Sequence, residues 1–297
     1  MKHDGGVWGM AGISRLWRGL AARWCALGLM LVAVGALSVL AGPQPASEAP
    51  ERRHAEKLRL ILWDDFTGER LDPAVWRAET GDGCPDLCGF GNDEAQTYAD
   101  TADTLRLDGG HLVLEAHDGP VIRSAKVTTA GRLSVRYGRI AVRAKLPTGR
   151  GTWPAIWMLP EKNTYGPWPR SGEIDIMEHV GFDPGRVHGT IHTAAYNHKR
   201  GTEKGASVLV PDAARAFHTY SVDWTPQAIV WKVDGTPYHR FEKQPGDGPD
   251  QWPFDRRFHL ILNLAIGGQW GGREGVDRTA LPARMVIDWV KVWQRTD

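Results

Sequence analysis

From residue 58 onward, apolar residues recur at alternate positions far more often than at the 3.6-residue spacing of a helix. Leu58, Leu60 and Leu62 alternate with Arg59 and Ile61. Gly138 to Lys145 sets Ile140, Val142 and Ala144 on one face and Arg139, Arg143 and Lys145 on the other. Ala228 to Val233 runs into Asp234-Gly235, a two-residue hairpin signal, and Tyr238 to Phe241 returns. Phe258 to Ile266 and Met285 to Trp293 read as long, well-buried strands. Only Pro73 to Arg77 and Pro211 to Phe217 suggest helical turns. Strands without intervening helices cannot build parallel crossovers, so an all-β, antiparallel sandwich or barrel is expected. From residue 58 to the C-terminus nothing resembles a linker and no internal repeat appears, which predicts one domain over residues 51–297.

The N-terminal part is different. Arg15, Arg18 and Arg23 precede an uncharged run from Trp24 to Gly42, followed by a Pro/Ala/Ser-rich stretch to Pro50. Basic residues, an apolar stretch and a small-residue exit are the pattern of a secretory signal. The run is also close to the length that spans a bilayer, so residues 1–50 read as a signal peptide or a retained membrane anchor plus a short linker. Either way the rest of the chain is expected outside the cytoplasm, secreted or tethered. In that setting the Cys84-x3-Cys88 pair, bounded by Gly83, Pro85 and Gly89, is expected to close a disulfide. Lys and Arg number 36 against 35 Asp and Glu, leaving no basic surplus for a nucleic-acid partner.

The densest chemistry lies in Gly172 to His179, where Glu173, Asp175 and Glu178 are interleaved with Ile174, Ile176 and Met177. On a helix, these offsets point to about 0°, 200° and 140°, leaving Glu173 apart. On a regular strand, Glu173 and Asp175 share a face while Glu178 points into the core, where an unpaired carboxylate is costly. One bulge at Ile176/Met177 returns Glu178 to its fellows. The glutamate Cα atoms are then on the order of 13 Å apart, and their side chains can converge to the separation of a retaining glycosidase pair. Crowding should raise at least one of the three pKa values, as a general acid requires. A solvated acidic edge and a calcium site are the competing readings of the same residues.

The sequence resembles glycoside hydrolase family 16, in its laminarinase (endo-β-1,3-glucanase) branch. The blocks that carry the resemblance run in order from Leu62-Trp-Asp-Asp-Phe66 and Asn92-Asp-Glu-Ala-Gln-Thr-Tyr98 through Tyr137-Gly-Arg139, Arg143 to Pro147 and Gly151 to Leu159. They continue with Gly172 to Glu178, Gly189-Thr-Ile-His192, Asn263 to Trp270 and Asp288-Trp-Val290. The resemblance implies a β-jelly-roll sandwich with a concave glycan-binding cleft. It implies Glu173 as nucleophile, Glu178 as general acid/base and Asp175 as the middle carboxylate that tunes both. The polymer expected is β-1,3-glucan, with mixed-linkage β-1,3-1,4-glucan beside it.

Trp153 and Trp157, four residues apart on a strand, share a side, and indole planes pack well on the C–H faces of sugars. The resemblance puts them, or at least one of them, in glucose subsites, with Asn92, His192, Gln269 and Trp270 lining the cleft. Trp168, in the loop Gly166 to Arg170, is a candidate for its rim. His188 and His192 lack a suitable third ligand for zinc. A structural calcium is implied at Asp65, Gly110 and Asp288, no organic cofactor is required, and a monomer is expected. The segment Phe90-Gly91-Asn92-Asp93 departs from the family, which usually has an aromatic immediately before the Asn-x-Glu block and a second Asn within it. Alternatives are a relative acting on another polysaccharide such as galactan, a transglycosylase, and a non-catalytic β-glucan-binding module.

Overall fold

The computed structural model describes residues 57–297; the signal or anchor expected at residues 1–50 lies outside them. Two antiparallel sheets account for most of the described strands. The front sheet runs, in spatial order, Lys204–Leu209, Arg186–His192, Glu173–His179, Thr152–Pro160, Phe258–Ile266, Lys126–Thr128 and Arg77–Glu79. The back sheet runs Thr236–Glu242, Ala228–Val233, His218–Trp224, Gly138–Lys145, Ala283–Arg295, His111–Ala116 and Leu105–Asp108, with Leu58–Asp64 paired to the far half of Ala283–Arg295.

Alternation decides which side chains meet between the sheets. Ile140, Val142 and Ala144 turn inward from the back sheet as expected, as do Val222, Trp231, Ile287 and Val290. Ile156, Met158, Ile174, Ile176, Ile191, Leu262 and Leu264 meet them from the front. Each of the larger side chains contributes roughly 1.5–3 kcal/mol by leaving water, so the inter-sheet layer is the main source of stability. At Asp234-Gly235 both residues have positive φ, 49° and 80°, the geometry that lets a two-residue turn follow the twist of its strands.

Two expectations need correction. Leu58, Leu60 and Leu62 do not share a face, because the register against Ala283–Arg295 slips between Leu60 and Leu62. Leu60 is therefore exposed and Leu62 buried. Gln96–Tyr98 and Ile122–Ser124 pair in parallel, an exception to the antiparallel rule. The segments Pro73 to Arg77 and Pro211 to Phe217 form the single helical turns expected of them, closed by Trp76 N donating to Asp72 O and Ala216 N to Asp212 O.

Candidate active site

The expected bulge is present. Against Thr152–Pro160, Asp175 faces Trp157 and Met177 faces Ile156, so Ile176 is the extra residue. Against Arg186–His192 the partners are Asp175 with Thr190 and Glu178 with His188, again one residue out of step. Ile174, Ile176 and Met177 are all buried below the sheet, while Glu173, Asp175 and Glu178 line one open cavity of about 690 Å³ on its outer face. The bulge is held from behind. Trp231 crosses the core from the back sheet and donates its indole N–H to Asp175 O at 2.7 Å. It passes beneath Gly189, where any Cβ would stand 2.3 Å from the indole Cδ1. A ladder carbonyl disturbed by the bulge thus finds a donor, and the glycine makes room for it.

Burial governs the electrostatics of the trio. It pushes Glu173 up to about 8, with the Asp175 charge adding to it, and pushes Glu178 up to about 7. Asp175 is also raised well above the ordinary aspartate range, by burial and then by Glu178. Opposing these shifts are the few donors of the cleft. Trp168 Nε1 donates to Glu173 Oε2 at 2.6 Å and Trp153 Nε1 to Glu178 Oε1 at 3.0 Å. His192 Nε2 lies 3.2 Å from Asp175 Oδ2 and 3.9 Å from Glu173 Oε1. Among the described residues, no Lys or Arg forms an ion pair with any of the three. Three carboxyls sharing so small a volume hold protons near neutral pH, the condition for one of them to act as a proton donor.

The indoles wall the cleft. Trp153 and Trp157 are both half-buried on its lining, and Trp153 meets Trp270 edge to face at 5.6 Å. Trp157 Nε1 donates to Asn263 Oδ1 at 2.7 Å, and Asn263 Nδ2 donates to the Tyr98 hydroxyl at 2.9 Å. Next along is Glu94, which accepts from Gln96 Nε2 at 2.7 Å and whose carboxyl is raised by burial. Asn92, Trp153, Glu173 and Glu178 are shared with an adjoining depression of about 890 Å³ that also contains His192, Gln269 and Trp270. Every expected substrate-binding position therefore borders one of the two cavities. Gln269 is the most peripheral, exposed and donating to Asp93 Oδ2 at 3.0 Å. His188 sits opposite Glu178 with its ring edge-on to Trp270.

Sequence reasoning missed Glu94, Tyr98, Lys126 and Asn263 as lining residues and gave Trp168 only a rim position. Glu94, Tyr98 and Asn263 lay inside the quoted motifs, and Asn263, polar between Leu262 and Leu264, carried an available signal. Lys126 had none: its ammonium is gathered by Phe90, Tyr98 and Trp157 from three separate segments and paired to Glu79 at 2.8 Å. The expected disulfide links Cys84 and Cys88.

The three calcium positions lie on the back sheet. Asp288 is itself a bulge residue, between Ile287 facing Ala144 and Trp289 facing Arg143. Its Oδ2 accepts from Arg143 Nη1 and its Oδ1 faces His111 Nε2 at 3.6 Å. Asp65 turns its side chain to the Thr67 hydroxyl at 2.8 Å, and Gly110 occupies the turn before His111 with φ 76°. Both Asp288 oxygens thus face nitrogen groups, while the calcium expectation at Asp65 and Gly110 concerns their main-chain carbonyls; the reaction proposed for the cleft uses no metal ion.

A family model described as glycosyl hydrolases family 16 matches residues 90–291. The chain belongs to that family. Among family relatives, a beta-glucanase of Rhodothermus marinus is 48% identical over 247 residues, which cover 79% of this chain and 85% of that protein. A glucan endo-1,3-beta-glucosidase of Cryptopygus antarcticus is 35% identical, covering 79% of this chain and 92% of its own length. The crystal structure of the laminarinase from Rhodothermus marinus superposes with a TM-score of 0.77 at 46% identity, covering 82% of this chain and all of that one. The two sheets are accordingly the jelly-roll sandwich of family 16.

Proposed function

We propose that this protein is a retaining endo-glycosidase that hydrolyses β-1,3-linked glucan of the laminarin type, with mixed-linkage β-1,3-1,4-glucan as a second substrate. The observation that carries the reading is the bulge at Ile176, which turns three carboxyls into one indole-walled cleft in a family 16 chain. Its named relatives acting on glucan support the choice of polymer.

In the proposed reaction the glucan lies across Trp153 and Trp157, which meet the C–H faces of its sugars. Glu178, protonated, gives its proton to the glycosidic oxygen as that bond breaks. The Glu173 carboxylate attacks the anomeric carbon and forms a covalent glycosyl-enzyme. Burial and the Asp175 charge work against an ionised Glu173, and Trp168 and His192 oppose them. A second proton held by Asp175 leaves Glu173 as the attacking carboxylate while Glu178 keeps its own. Glu178, now a carboxylate, removes a proton from water as the water attacks the same carbon, releasing a sugar of retained configuration. Two carboxyls thus supply both nucleophile and proton, and no organic cofactor enters. The arginines before the Trp24 to Gly42 run and the disulfide support an extracytoplasmic site of action, with the N-terminus as signal or tether.

Azide separates the two glutamates. With Glu178→Ala, azide should restore turnover of an activated β-glucoside and give the β-azide, because the glycosyl-enzyme still forms. With Glu173→Ala, it should give the α-azide directly. The opposite pairing of products would reverse the assignment, and no rescue of either variant would refute the double displacement.

A further inference from the structure

The stapled loop ahead of Asn92 presents a leucine to the cleft. Leu87 lies between the two cysteines of the disulfide and is 55% exposed. It takes no part in the inter-sheet core, yet it lines the same cavity as Glu173 and Glu178. Phe90 lines the same cavity, packed against Tyr98 at a ring separation of 5.0 Å, with the Lys126 ammonium 5.0 Å from the Phe90 ring. Glu94 and Asn92 complete that end of the cavity. An apolar tip, an aromatic ring and a few polar groups is the composition of a sugar subsite: the wall takes a C–H face and the rim takes hydroxyls.

The loop is held in place before any ligand arrives. Asp82 accepts Cys84 N on its side chain at 3.0 Å and Gly89 N on its carbonyl at 2.8 Å. Leu87 N donates to Gly83 O at 2.7 Å, and Asn92 O accepts from Gln269 N at 2.7 Å, which ties the far end of the loop to the segment after Phe258–Ile266. The disulfide closes the remaining side. Little ordering cost is left for binding, so the area that Leu87 buries against a ligand counts nearly in full.

We propose that Leu87, presented by the disulfide-stapled loop beside a cavity that Phe90 also lines, is the apolar wall of a distal sugar subsite. This subsite makes the enzyme favour glucan segments long enough to reach from the carboxylates to the loop. The inference rests on the β-glucan reading and adds the residue that measures chain length.

The test is kcat and KM on β-1,3-gluco-oligosaccharides of increasing length, for the wild type, Leu87→Ala, Leu87→Met and the double variant Cys84→Ser/Cys88→Ser. Leu87→Ala should raise KM about three- to ten-fold on the longest chains, with kcat held and the rise shrinking as the chain shortens. Leu87→Met should recover most of the loss, and the cysteine double variant should move in the same direction as Leu87→Ala. An identical length dependence in wild type and Leu87→Ala overturns the proposal. So does an equal loss at every length accompanied by a fall in kcat, which would mark a structural role. If the wild type leaves these chains intact, the β-1,3-glucan reading fails on that arm alone. The same Leu87 comparison on the oligosaccharides it does cleave then decides the subsite.

Discussion

Both sheets contain a bulge beside an aspartate, and the two surroundings are electrically opposite. In the back sheet the added residue is Asp288, and Arg143 takes its carboxylate. Nearby on the same sheet, Asp223 is gripped by Arg139 at 2.5 and 3.0 Å and by Lys232 at 2.6 Å, which hold its pKa below the usual value. In the front sheet the added residue is Ile176, and the acids it gathers meet indole N–H groups and one imidazole. Their pKa values rise. A bulge only re-aims side chains; the partners waiting for them decide whether the carboxyl is fixed as an anion or left able to exchange a proton.

The contrast breaks most completely at Glu173. Glu173→Gln keeps the shape and removes the nucleophile, so kcat on laminarin should fall by at least about 10⁴-fold while glucan still binds. Turnover near the wild-type level would show that the front bulge serves something other than catalysis. The same substitution at Asp288 would leave the cleft untouched and should leave kcat within about two-fold.

Next in size is the device that holds the front bulge. Gly189→Ala would drive a methyl into Trp231 and the Tyr238 hydroxyl, at a cost of about 3 kcal/mol. Thermal melting should shift down by roughly 6–12 °C. Activity should fall in the fraction that stays folded, because the donor to Asp175 O is displaced. A variant that melts like the wild type and keeps full kcat would mean that the bulge needs no such support.

The raised carboxyls also predict a pH-dependent stability. Glu173 titrates near 8 in the fold and near 4.5 in an unfolded chain. Its contribution is therefore complete below about pH 4.5 and is lost as pH rises through about 8, where the fold must hold a buried anion. Glu173→Gln removes that cost. The variant should melt roughly 4–8 °C above the wild type at pH 8.5 and at the same temperature at pH 4. Equal melting at both pH values would mean that Glu173 is better solvated than its surroundings suggest.

Much of this was legible in advance because it depends on local parity. Alternation along Gly138–Lys145 and the apolar run of Phe258–Ile266 pointed to the sheets, and the parity conflict at Glu178 called for one extra residue at Ile176/Met177 before any neighbour was known. The slip at Ile61 was hidden, since Leu58, Leu60 and Leu62 look equally apolar and only the register with Trp293 and Val292 separates them. Lys126, gathered by rings from distant segments, and Trp231, reaching Asp175 from the opposite sheet, were equally out of reach. Period two says which way a side chain points along its own strand. It says nothing of what arrives from another.

The smallest effect is the mirror image of the Glu173 experiment. Asp223 has its folded pKa below that of the unfolded chain, so its contribution is present above about pH 4 and disappears as pH falls through the folded value. Its side chain is 23% exposed and its partners reach solvent, so screening limits the gain to about 1 kcal/mol or less. Asp223→Asn should thus lower the melting temperature by only a few degrees at pH 7, with the difference closing toward pH 2. Added salt should shrink the shift of Asp223→Asn and leave that of Glu173→Gln nearly intact, because ions screen a pair at the surface but cannot repay the desolvation of a buried carboxylate. If salt instead reduced both shifts alike, the two acids would be sharing one kind of environment, and the division of labour between the sheets would fail.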